Sequence, residues 1–306
     1  TGMSDENGVR SVEIPENRPG MMDLGTMTRT VKLGAVLRHG LASSRVPRLA
    51  SYLGLFAPGA APPTRVDNWS GAKASLTRMY LNDRYGCCVI SGKHHQLGAW
   101  SSADKAATIL TSDSEVLRQY NLLKAGPGDS GCVITDVLDY FMRNGLQTGM
   151  GLQKIDGYVS VDNTDKVEVM IAIYLFGSLT LGFNLPADWA DSARPAGRWA
   201  PTASGIVGGH DVCAVGYDSI GVQISTWGIY EPITIEWAAF TSRRWITELY
   251  AQLAPSWYGS DKLSPMGVAV PKLMADMELF RNGGTPTIDP VVPPTPPVPP
   301  VPPVPP

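Results

Sequence analysis

The sequence predicts an α+β fold in two parts, a helical half followed by an antiparallel β half, with a cleft between them. Three observations carry that expectation. Helical apolar spacing runs from about Ser112 to Leu175, short β-rich runs separated by turn residues come after it, and 43% hydrophobic residues over 306 positions suffice for a proper core.

Taken in order, residues 1–32 are polar and lack periodicity, as expected of a flexible N-terminal arm. Residues 33–75 are mixed. LGAVLRHGLASSRVPRLASYLGLF accommodates one short helix broken at Pro47, and APGAAPPTR reads as an extended connection, so this stretch is expected to pack on the body as an extension. The body spans 76–283. Ser112 and Glu115 stand at capping-box spacing before VLRQYNLL, which starts a helix there. VITDVLDYFMRNG puts Val133, Val137, Tyr140 and Phe141 on one helical face and ends in Asn-Gly. A further helix follows Asn163, with Val167, Ile171, Tyr174 and Leu175 as its inner stripe. SLTLGFN, DVCAVGYD and GVQISTWG then read as strands, and EWAAFTSRRWITELYAQL as a return to helical spacing. Residues 284–306 are proline-rich and polyproline II in composition, a tail or linker suited to a partner with an aromatic groove or to a further domain.

Composition excludes several functions. Twenty-five Lys and Arg against 28 Asp and Glu leave a formal charge of −3, which offers no counterion-release term for nucleic acid. No apolar run approaches the ~20 residues needed to span a bilayer, and the polar N-terminus has no apolar signal-peptide core, so the chain reads as soluble. Its compartment is not specified; an extracellular or virion-associated setting suits the stalk-like tail. Four cysteines, two of them adjacent, are expected as free thiols.

LNDRYGCCVISGKHH places Cys87, Cys88, His94 and His95 within nine residues. Zinc is excluded on geometry, because adjacent cysteines point apart whereas structural sites use pairs two to four residues apart. Taken alone, the stretch is an ordinary helix of small residues. A second stretch, GGHDVCAVGYDSIGVQISTWG, carries a Gly-Gly-His opening one strand and a Ser-Thr-Trp-Gly ending the next, which packing does not require.

With both stretches in view, residues 76–253 resemble the papain-like cysteine peptidases. That family writes a glutamine six residues before the nucleophile and a glycine two before it; Asn82, Gly86 and Cys88 stand at those spacings. His210 in GGHDVCAVGYD matches the family's histidine strand, and Ser225 takes the position two before the tryptophan of N-S-W-G. More closely, NDRYGCCVISGKHH resembles a bacterial and phage branch with N-D-x-x-G-D-C and a histidine seven residues on, matched by His95.

The resemblance implies a two-part fold in which Cys88 caps a central helix and attacks a peptide or isopeptide amide. His210 serves as acid and base, Asn82 supplies a side-chain N–H to the oxyanion, and Ser225 orients the imidazole under the cover of Trp227. Neither metal nor cofactor enters this chemistry, and the partner is a peptide or protein in the cleft. Ser225 is shorter than the family's amide and Asn82 shorter than its glutamine, so a catalytically weak or inactive domain serving as a structural or binding module is the alternative. Cys87 is expected as a small buried residue facing away, and one of His94 and His95 as a hydrogen-bonded core histidine.

Overall fold

A computed structural model describes residues 3–4, 9–16, 28–37, 46, 48–51, 62–103 and 107–254. The N-terminal strands are β1 (Met3–Ser4), β2 (Arg10–Pro15), β3 (Thr28–Leu33), β4 (Ala35–Val36) and β5 (Val66–Asp67). Helices α1 (Trp69–Leu76), α2 (Cys88–Ala103) and α3 (Asp113–Leu123) follow. Next come β6 (Cys132–Val133), α4 (Ile134–Arg143), and the hairpin of β7 (Leu146–Thr148) and β8 (Gly151–Gln153). The second half holds β9 (Gly157–Ser160), α5 (Lys166–Phe176), β10 (Leu179–Pro186), α6 (Ala187–Asp191), β11 (Arg198–Trp199), β12 (Ile206–Tyr217), β13 (Gly221–Ser225), β14 (Ile233–Glu236), α7 (Trp237–Phe240) and β15 (Ile246–Leu253).

The large sheet runs β11-β14-β13-β12-β10-β15-β9, with β5 added to β12; all its pairings are antiparallel except β11 with β14. Helix α2 lies against β12 and α1; one apolar cluster joins α2 and β12 to α4, α5 and the rest of the sheet, and a smaller one packs α1 on α2 and β12. This is the expected α+β arrangement of a helical half and an antiparallel half.

Local chemistry explains the elements that match. Ser112 Oγ accepts from Glu115 N–H at 3.3 Å and starts α3; the Glu115 carboxylate does not complete the box but turns to Arg118 and Gln119. Asp165 caps α5 by accepting from Val167 and Glu168 N–H, and Gly177 ends it at φ +70°. The α4 face is close to the expected one, with Ile134, Val137, Leu138 and Phe141 buried.

Four expectations need correction. The inner face of α5 consists of Val169, Ala172, Ile173, Leu175 and Phe176, while Val167 is 53% exposed; the helix is apolar nearly all round, so spacing alone does not single out a face. ITELYAQL is the strand β15, not helix. Seven of its eight residues are buried between β10 and β9, and a strand covered on both faces loses the alternation that distinguishes it. The 1–32 arm contributes β2 and β3, paired in register with Val12, Ile14, Val31 and Leu33 buried. Within 33–56 the described residues form β4 and one 3-10 turn at Leu49–Ser51, and the remainder of that expected helix lies outside the described residues. The proline-rich tail also lies outside them.

Candidate active site

The loop before Cys88 is held by strained backbone and by one carboxylate. Tyr80 and Leu81 adopt φ +48° and +63°, left-handed values that cost a non-glycine residue about 1–2 kcal/mol each. Asp129 accepts from Gly86 N–H at 2.9 Å and from the Tyr120 hydroxyl, and that hydroxyl in turn accepts from Gly131 N–H at 3.0 Å. The two walls of the cleft, Gly86 and Gly131, are thereby tied to each other. Cys88 then opens α2, where unpaired N–H groups and the helix dipole favour negative charge. Burial, and after it the nearby Asp211 carboxylate, push the thiol up to about 12, against the smaller opposing influence of the backbone at Asp211, Gly34 and Val89.

His210 sits on β12 opposite α2. Its ring stacks on Trp227, with centroids 4.6 Å apart and planes at 21°, and takes an edge contact from Phe183 at 5.6 Å. Nε2 meets the Thr226 hydroxyl at 2.8 Å, while Nδ1 is buried without a hydrogen-bond partner among the described residues. Burial pushes the imidazole down to about 3. In this conformation thiol and imidazole are both neutral, and the thiolate–imidazolium pair expected of Cys88 and His210 is not formed.

The N-terminal segment lies over the start of α2. Strands β3 and β4 run through the cleft between the halves. Lys32 N–H donates to Asn82 O at 2.8 Å, Asn82 Nδ2 donates to Lys32 O at 3.1 Å, and Cys132 N–H donates to Gly34 O at 2.8 Å, which makes β4 a parallel partner of β6. Arg29 reaches the Trp227 carbonyl. Gly34 passes so close to Gly86 that a methyl group on it would overlap the Gly86 backbone. Cys88 is left 1% exposed. Beside this strap, an open cavity of about 280 Å³ remains between Arg10, Ser130, Asn184 and Gly208.

Of the expected site residues, Cys88, His210 and Asn82 lie around this cleft. The Asn82 amide donates to a peptide carbonyl within it, that of Lys32, and also to Tyr85 O. Ser225 is different: its hydroxyl donates to Leu76 O at 2.7 Å, and the group that meets the imidazole is Thr226. Ser225 is the last residue of β13, and Thr226 lies between the strand's end and Trp227 at φ +49°. Thr226→Val is therefore expected to free Nε2, shift the His210 ring resonances in ¹⁵N NMR and lower turnover by about tenfold, whereas Ser225→Ala leaves the ring signals in place. Ring signals that move with Ser225 instead would restore the first assignment.

Cys87 faces away, with its thiol toward Tyr80 O at 3.3 Å, and burial holds it far above the ordinary thiol range. Both His94 and His95 are core histidines: His94 is bound by Gln119 and Thr111, and His95 by Arg78 O. The strap, Thr226, Lys93 and Asp211 were not anticipated. A lone lysine in the apolar helix CVISGKHHQLGAW and a lone aspartate in GGHDVCAV were the available signals for the last two.

No family model matches the chain, and no curated protein matches its sequence. Solved structures do match. Xylellain, a cysteine protease from Xylella fastidiosa, superposes over 75% of this chain and 98% of its own with a TM-score of 0.55 and 16% identity. ProCathepsin B S9 from Trypanosoma congolense covers 72% of this chain and 86% of its own with a TM-score of 0.53 and 13% identity. With a central helix that opens on Cys88 packed against an antiparallel sheet that carries His210, this chain has the fold of the papain-like cysteine proteases.

Proposed function

We propose that the chain is a papain-like thiol hydrolase that cleaves a peptide or isopeptide amide through an acyl-enzyme on Cys88, and that the conformation described is its closed form. The observation that carries this reading is the sulfur at the start of α2, on the side of the cleft opposite a histidine whose Nδ1 is buried without a hydrogen-bond partner among the described residues. With the strap withdrawn and water admitted, the desolvation that keeps both groups neutral is relieved. His210 Nδ1 takes the thiol proton, and the sulfur attacks the amide carbon. The oxyanion is met by Cys88 N–H and by the Asn82 amide, which already donates to a carbonyl in the cleft. The imidazolium then protonates the leaving amine, and water attacks the thioester with His210 as base. Thr226 fixes the ring through Nε2. The spacing N-D-x-x-G-x-C favours the bacterial and phage branch of the family, and the proline-rich tail would serve as a spacer or as a ligand for an aromatic groove.

A second reading, a binding or structural module, is favoured by one feature: the cleft is filled and the imidazole meets a hydroxyl where the family uses an amide. A peptide library incubated with the full-length Gly34→Ala chain separates the two. Cleavage that vanishes in the same chain carrying Cys88→Ala supports the hydrolase. Silence on peptides and on crosslinked wall fragments, with folding intact by circular dichroism, leaves the module.

A further inference from the structure

A lysine–aspartate pair that the chemistry above does not use lies beneath Cys88 and His210, where burial pushes the lysine down and the aspartate carboxyl up to about 7. Lys93, five residues along α2 from Cys88, and Asp211, the residue after His210 on β12, have wholly buried side chains with Nζ and Oδ2 3.3 Å apart. The carboxylate comes so near the helix that a methyl group on Gly92 would lie 2.6 Å from it. Lys93 Nζ also donates to Gln96 Oε1 at 3.3 Å and to Thr180 Oγ1, so its three protons all have acceptors. Gln96 passes on to Gln252 Oε1 at 2.9 Å and accepts from the Thr180 hydroxyl. The network joins α2 to β10, β12 and β15.

Stability alone is a poor reason for such a pair. Two apolar side chains of similar volume in the same place are commonly as stable or more so, because both charges must be stripped of water. A directional pair does what apolar packing does not: it opposes sliding. Gly92 leaves α2 without a side chain where it meets β12, and a slip by one residue's rise, about 1.5 Å, would carry the sulfur along the strand, away from its place opposite His210. Misplacement of that size costs a catalytic site on the order of 100-fold.

We propose that Lys93 and Asp211 are positioning residues whose paired side chains set the register of α2 on β12 and so hold the Cys88 sulfur opposite His210. The inference rests on reading the site as a thiol hydrolase. The pair's other titratable neighbours are Cys88 on α2, Cys213 on β12 and Glu248 on β15.

The test replaces both side chains in the Gly34→Ala chain, Lys93→Met with Asp211→Leu, and follows kcat and KM on one cleaved peptide beside the melting temperature. Positioning predicts a melting temperature that holds or rises while kcat falls by about 10- to 100-fold at an unchanged KM. An unmoved kcat in the folded variant overturns the proposal. Should the apolar pair not fold, Asp211→Asn keeps the shape of the carboxylate, and an unmoved kcat there overturns it equally. A Gly34→Ala parent that cleaves nothing counts first against the hydrolase reading, and the positioning role falls with it.

Discussion

The full-length Gly34→Ala chain is expected to alkylate at Cys88 about 10- to 100-fold faster than wild type. The added methyl group would overlap the Gly86 backbone, and Gly86 has no room to yield, being bound to Asp129 on one side and leading into α2 on the other. Overpacking of this kind costs about 1–3 kcal/mol, which the strap avoids by leaving the cleft. It is held by the backbone hydrogen bonds of Lys32 and Gly34 with Asn82 and Cys132, by Arg29 at the Trp227 carbonyl and by the burial of Val31 and Leu33, so the methyl group raises the open population by the roughly 10- to 100-fold that such a cost corresponds to without emptying the cleft. Alkylation with mass mapping measures it, and an unchanged rate at an unchanged melting temperature would show that the strap is not what buries the thiol.

How far the sequence foretold this molecule depends on whether a residue's role follows from spacing along the chain or from the fold around it. Cys88 at a helix start and His210 on a strand are matters of spacing, and both were readable. The strap was half readable: RSVEIP and TRTVKL alternate, with Val12, Ile14, Val31 and Leu33 facing inward, but their polar surroundings masked a period of two over only six residues. That the second of these runs crosses the cleft depends on Gly34 meeting Gly86, a contact between residues 52 positions apart that no local pattern encodes. Ser225 and Thr226 differ by one residue, the first still in β13 and the second just past its end, and no spacing along the chain decides which of them meets the ring. Lys93 and Asp211 are separated by 118 residues, and each alone looks like an error in an apolar element; only the fold makes them a pair.

In the opened chain, Cys88→Ala and His210→Phe are each expected to lower turnover by on the order of 10³-fold or more, and the double variant by no more than either alone. Nucleophile and base act in one step, so losing one forfeits what the other contributed, and the losses do not add. The choice of phenylalanine matters. His210 fills a slot between Trp227 and Phe183, and His210→Ala would leave a cavity whose cost in stability, about 2–4 kcal/mol, could pass for a catalytic effect. Phenylalanine keeps the aromatic contacts and gives up only the two nitrogens, the bond to Thr226 among them. Cys88→Ala removes one buried sulfur atom and should change the melting temperature little. Initial rates on one cleaved peptide, with melting temperatures for all three variants, measure the expectation. Losses that multiply in the double variant would mean that the two residues act in separate steps, and the acyl-enzyme mechanism assigned to this cleft would be wrong.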